Sequence, residues 1–166
     1  MNNSIGLILL GVSGSGKTTI GKLLSKKINI QFIDADDYHS KENTQLMSKG
    51  KPLNDKLRAP WLYKINEAFK KKLKTSNCIL ACSLLKKKYR KTIRKNISNQ
   101  LYFIYLKGSE KLIQKRIKKR KNHFMNNSLL KSQFNTLEKP SNSLIIDINK
   151  NPKEIISIIT KKIFIN

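Results

Sequence analysis

Two hydrophobic rhythms alternate along the chain. Ile5 to Leu10 is a short unbroken apolar run ending at Gly11, the pattern of a strand buried on both faces. From Lys17 to Ile28 the apolar positions Ile20, Leu23, Leu24 and Ile28 fall at helical spacing. The sequence then predicts a second strand over 30–33, ending at Asp34, a helical stretch over 38–50, and a two-proline loop over 51–60. A helix over 61–73 carries Leu62, Ile65, Phe69 and Leu73 on one side. Strands at 78–82, 101–106 and 144–148 alternate with helices at 86–94, 109–121, 128–137 and 152–163, and Pro152 suits the first turn of the last helix. Apolar strands alternating with helices are the signature of an α/β fold, a parallel sheet covered by helices on both faces.

The chain has 166 residues, and neither repeats nor a linker divide it, so one domain spanning 1–166 is expected. No apolar run approaches the ~20 residues of a membrane-spanning helix. The N-terminus has no Lys or Arg ahead of its apolar run, so no signal peptide is expected there. Cys78 and Cys82 sit four apart in one expected strand, too far to bridge each other, and read as reduced core cysteines of a cytoplasmic protein.

The formal charge is +25, which alone suggests a polyanionic partner. Its make-up argues otherwise: 30 of the 35 basic residues are Lys, scattered along the chain. Lys, Ile and Asn together exceed two-fifths of the residues, and all three have A/T-rich codons, so nucleotide bias accounts for much of the charge. Aromatic residues are not interleaved with the basic runs as nucleic-acid stacking platforms require. In a chain that uses Lys by default, the five arginines become informative: Arg58, Arg90, Arg94, Arg116 and Arg120. Lys86 to Lys88 read as solvated, and Trp61 as plain packing at a helix start.

Gly11-Val12-Ser13-Gly14-Ser15-Gly16-Lys17-Thr18 fits the phosphate-loop pattern, with a strand before it and a helix after it. The glycines let successive N–H groups turn toward a phosphate chain, and the following helix adds its positive end. Lys17 is placed to reach the β- and γ-phosphates of ATP, and the Thr18 hydroxyl to ligate Mg²⁺. The next strand ends in Asp34-Ala35-Asp36-Asp37, at the sheet edge where α/β proteins bind ligands. If extended, Asp34 and Asp36 point the same way; one is suited to hold a Mg²⁺ water and the other to take a proton from an acceptor hydroxyl.

Beyond this point the sequence resembles the bacterial gluconokinase family, small sugar-acid kinases of the shikimate kinase and adenylate kinase type. Carrying the likeness are Asp34-Ala-Asp-Asp-Tyr-His39, Asn43, Met47, Gly50-Lys-Pro-Leu-Asn-Asp55, Arg58 and Pro60-Trp61. Later matches are Ala81-Cys-Ser83, Tyr89-Arg90, Phe103 to Gly108, Arg116, Arg120, His123-Phe-Met125, Gln133-Phe134, Leu137-Glu138 and Pro140. Four positions depart from the family: Ser40 stands for Pro, Leu57 for an acid, Asn122 for Gly and Leu84 for Ala.

The resemblance implies a five-stranded parallel sheet in order 2-3-1-4-5, an acceptor-binding helical region over about 38–74 and a short lid over about 121–128. It implies ATP-dependent phosphorylation of the C6 hydroxyl of D-gluconate, with the option of a homodimer. Asp36 would be the base; Arg58 and Arg90 would clamp the carboxylate, with His39 an acceptor contact and His123 a lid residue. Arg116 would stack on adenine, and Arg120 would meet the phosphates as the lid closes. Another small-molecule P-loop kinase, of shikimate or nucleotide type, and a basic nucleic-acid-binding P-loop protein remain as alternatives.

Overall fold

In β1 (Gly6–Leu10) successive side chains leave the strand on opposite faces. Leu7 and Leu9 join one apolar cluster with Ile20, Leu24, Ile113 and Ile159, while Ile8 and Leu10 join another with Trp61, Ile65, Phe69 and Ile93. All four β1 side chains are fully buried, so an alternation of faces underlies what looks in sequence like a continuous apolar run. The computed structural model describes residues 4–119 and 127–165.

β1 pairs in parallel with β3 (Cys78–Ala81) and β4 (Leu101–Lys107); β2 (Gln31–Asp34) lies beyond β3, and β5 (Leu144–Asp147) beyond β4. Among the described residues this is one sheet in the order β2-β3-β1-β4-β5. The helices are α1 (Lys17–Ile28), α2 (Lys41–Ser48), α3 (Asp55–Leu73), α4 (Lys87–Arg94), α5 (Glu110–Lys118), α6 (Asn127–Thr136) and α7 (Pro152–Phe164). Parallel strands end at one edge, so the glycine loop after β1, Asp34 at the end of β2 and Ser83 beyond β3 converge there. None of the helices described is long and apolar enough to cross a membrane.

Two boundaries differ from the sequence expectation in ways that matter for the site. A short 3-10 turn over Ala35–Tyr38 precedes α2, which spans only Lys41–Ser48. Ser40, where the family carries Pro, caps α2 by accepting from the Asn43 N–H at 3.1 Å. Of the stretch 51–60 expected to be loop, residues 51–54 are loop and residues 55–60 are instead the first part of α3. Asn54 caps that helix by accepting from the Leu57 N–H at 2.9 Å, and the helix carries Pro60 inside it. Arg58 therefore sits on a helix rather than a loop. Arg120, Asn122, His123 and most of the expected lid 121–128 lie outside the described residues.

Candidate active site

The loop between β1 and α1 is shaped by its glycines. Gly14 and Gly16 have φ of 79° and 97°, in the left-handed region where a side chain is strained. A Cβ on Gly11 would lie 2.8 Å from the Leu106 carbonyl oxygen. Gly16 caps α1 without a side chain of its own, leaving the first N–H groups of the helix for a ligand. The Ser15 hydroxyl is buried and has no hydrogen-bond partner among the described residues. The Lys17 ammonium is folded over the loop, donating to the Gly11 and Val12 carbonyls at 3.0 Å each. A buried orphan hydroxyl, a glycine cradle and a lysine held above it fit a phosphate chain.

Beside this cradle the Thr18 hydroxyl donates to Asp34 Oδ2 at 2.6 Å. Asp34 Oδ1 in turn accepts from the Asp36 N–H at 3.1 Å, capping the 3-10 turn. That turn alters the expected geometry. Asp34 keeps extended backbone, but Asp36 has left the strand, so the pair does not share a direction by strand alternation. Asp34 goes to Thr18, and Asp36 lines the cleft with Lys17. Thr18 and Asp34 offer two hard oxygens, a set that suits Mg²⁺ when phosphates and water supply the remainder.

The cleft is a cavity of about 300 Å³ whose lining includes Ser13, Lys17, Asp36, His39, Arg58 and Gln133. The His39 ring stacks on Trp61 at 4.3 Å between centroids, with 7° between planes. Trp61 is thus more than packing at a helix start: buried, it also donates from Nε1 to the Ala35 carbonyl at 2.8 Å, fixing the turn that carries Asp36. Burial, with the Arg58 guanidinium adding to it, lowers the His39 pKa to about 4. The imidazole is therefore neutral at pH 7, and its Nδ1 is buried with no partner among the described residues.

A second lobe, sharing Leu53, Arg58, Leu129 and Gln133 with the first, opens toward Asp55, Lys86 and Tyr89. Arg58 donates from Nε to the Leu53 carbonyl at 3.1 Å and lies 5.5 Å from the Tyr89 ring centroid. Asp55 ties the starts of α3 and α4 together: Lys86 Nζ donates to it at 3.1 Å, Lys88 Nζ at 2.5 Å, and the Tyr89 hydroxyl donates as well. Those donors, Lys88 and Tyr89 foremost, hold the Asp55 carboxyl well below the usual carboxylate range. Of Lys86 to Lys88, expected to be solvated, Lys86 is instead half-buried against Asp55, while Lys88 stays exposed as it pairs with the same carboxylate.

The remaining arginines are dispersed. Arg90 lies outside the cleft lining; its Nη1 donates to the Leu84 and Leu85 carbonyls at 2.9 and 3.2 Å. Leu84, where the family has Ala, is fully buried and holds a left-handed φ of 43° that Arg90 helps to fix. Arg94 shares a basic surface hollow with Arg90. Arg116 lines a separate hollow behind the loop with Gly14, Gly16, Lys150 and Pro152, and its Nη2 donates to the Ile148 carbonyl at 2.5 Å. Leu57, where the family has an acid, is exposed and lines neither lobe. Sequence reasoning gave no role to Gln133, whose Oε1 accepts from the Ser13 N–H at 2.7 Å across 120 residues. Its one signal was membership of the Gln133-Phe134 stretch.

Comparison with known proteins places this geometry in context. The shikimate kinase family model matches residues 13–164. The thermosensitive gluconokinase of Escherichia coli K12 is 44% identical over 147 residues, covering 86% of this chain and 78% of the relative. A probable gluconokinase of Xenopus tropicalis is 40% identical, covering 91% of this chain and 89% of its own. Among solved structures, a gluconokinase from Sinorhizobium meliloti 1021 superposes with a TM-score of 0.84 at 34% identity, over 95% of this chain and 90% of that one.

Proposed function

From the premise that the chain belongs to the shikimate kinase family and, within it, to the gluconokinases, we propose that it transfers the γ-phosphoryl of MgATP to the C6 hydroxyl of D-gluconate. The products are 6-phosphogluconate and ADP, with the hydroxyl proton released. The observation that carries this reading is that Lys17 and Asp36 line one cleft, together with the neutral His39 and the cationic Arg58. Bound MgATP supplies the transferable group and screens its negative charge.

The chain's own residues do the rest. The loop over residues 13–18, through the N–H groups beyond Ser13, and the Lys17 ammonium hold the phosphates, and Thr18 with Asp34 holds the metal. Asp36 orients the C6 hydroxyl and accepts its proton. Arg58 faces the carboxylate end, where a fixed cation offsets the crowding of two anionic substrates. His39 contacts an acceptor hydroxyl as a neutral group held flat on Trp61. Arg116, in the hollow behind the loop, holds the adenine face. Arg90 acts at one remove, by fixing the carbonyls of residues 84 and 85. Arg120 and His123 complete the site from the lid side on the strength of the family resemblance.

The test is an ADP-coupled assay run over D-gluconate, shikimate and nucleoside monophosphates. Turnover is expected with gluconate and not with the others. Turnover with shikimate or a monophosphate, and none with gluconate, overturns the substrate assignment.

A further inference from the structure

Helix α6 presents one of its faces to the cleft. Leu129, Ser132, Gln133 and Thr136 stand three, four and seven residues along it, and all four line the lobe next to Asp55. Leu129 and Gln133 also line the lobe next to Lys17 and Asp36, so this face runs the length of the space open to the acceptor. The three polar members are two hydroxyls and an amide, in a chain whose polar surface is otherwise dominated by Lys. Gln133 is oriented by necessity. The Ser13 N–H can only donate, so the atom 2.7 Å from it is the amide oxygen. An amide carries its oxygen and its nitrogen on different branches of one carbon, so the two N–H donors of Gln133 are not used by the bond to Ser13. Thr136 Oγ1 donates its proton to the Ser132 carbonyl at 2.8 Å and keeps its lone pairs for an incoming hydroxyl. The face thus alternates donors and acceptors without net charge, which matches a polyhydroxy chain and not a second anion.

We propose that this α6 face reads the hydroxyl chain of the acceptor, with Gln133 as the specificity-determining residue that joins that chain to the phosphate loop through Ser13. The proposal rests on the gluconate reading above. It adds that the middle hydroxyls, between the carboxylate held by Arg58 and the C6 oxygen beside Asp36, are recognised by neutral groups of α6.

Gln133→Met keeps the side chain's length and removes its hydrogen bonding. Steady-state kinetics with gluconate and with its 2-, 3-, 4- and 5-deoxy analogues provide the readout, alongside melting curves. Loss of neutral hydrogen bonds is expected to raise the KM for gluconate about five- to tenfold in Gln133→Met. The KM for ATP stays within about twofold, and the melting temperature holds. One deoxy analogue, lacking the hydroxyl that Gln133 meets, is expected to show no further penalty in the variant. The proposal is overturned if KM for gluconate is unchanged. It is equally overturned if both KM values rise together with a falling melting temperature, or if every deoxy analogue is penalised additively. Each of these three outcomes leaves gluconate turnover by the unaltered protein intact, and so the functional reading with it. Absence of that turnover removes both.

Discussion

Stacking on Trp61 holds the His39 ring, and burial beside the Arg58 guanidinium keeps it neutral. Its folded pKa of about 4 lies below the ordinary value of 6.5. Between those two values the unfolded chain binds the proton more readily than the native protein does, so stability rises with pH across that window and is lost as pH falls through it. The melting temperature is expected to drop on acidification from pH 6.5 to 4, and His39→Gln to flatten that slope; an unchanged slope rejects the assignment. Asp55 acts in a lower window, because its native carboxylate is favoured by Lys88, Tyr89 and Lys86 and its contribution is lost below the ordinary carboxylate range. Lys17→Ala is expected to abolish turnover, by about a thousandfold or more, while the far-ultraviolet circular dichroism spectrum is retained. At this scale the loop was legible, because Lys17 and Thr18 sit in a fixed eight-residue pattern. Arg90 was not: a guanidinium spent on the backbone carbonyls of Leu84 and Leu85 looks, in one dimension, like any other cation in a basic helix.

Helix α3 links the acceptor side to the core. It buries Trp61, Leu62, Ile65 and Phe69 against the sheet and presents Arg58 to the cleft. Its start depends on Asn54, so Asn54→Ala is expected to cost about 1 kcal/mol and lower the melting temperature by about 2–4 °C. A calorimetric melt checks this, and a shift below 0.5 °C argues that the cap is dispensable. The sequence pattern missed this start because two prolines within nine residues read as a break. The Asn54 cap and the apolar Leu57–Trp61 spacing carried the opposite message. The 3-10 turn after β2 was similarly hidden: it depends on Asp34 capping its own turn and on a bond from Trp61 to Ala35, contacts that no periodicity encodes. The strands were legible to within a residue or two: β1 and β3 as buried apolar runs, and the partly exposed β2 and β5 through their short apolar cores, Phe32-Ile33 and Leu144 to Ile146.

For the whole molecule the sheet order β2-β3-β1-β4-β5 agrees with what the family resemblance implied, and two apolar clusters, one on each face, account for the alternating pattern of strands and helices. The charge is the unusual global feature. Ten carboxylates face 35 basic side chains, and Glu67 and Asp55 carry three ion pairs between them, with Lys70, Lys86 and Lys88. Self-repulsion at +25 opposes the compact state and is screened by salt. The melting temperature is therefore expected to rise between about 10 and 200 mM NaCl, where the Debye length shrinks from ~30 to under 10 Å. A flat or falling response contradicts a fold limited by its own charge.

All of these scales meet at Asp36, which the turn after β2 sets in the same cleft as Lys17. The most direct measurement is gluconate-dependent formation of 6-phosphogluconate by Asp36→Asn beside the unaltered protein. Loss of a positioned base is expected to lower kcat by about 10²–10⁴-fold with the KM for ATP within about threefold. A variant whose kcat stays within twofold of the original contradicts direct transfer to a hydroxyl held by Asp36.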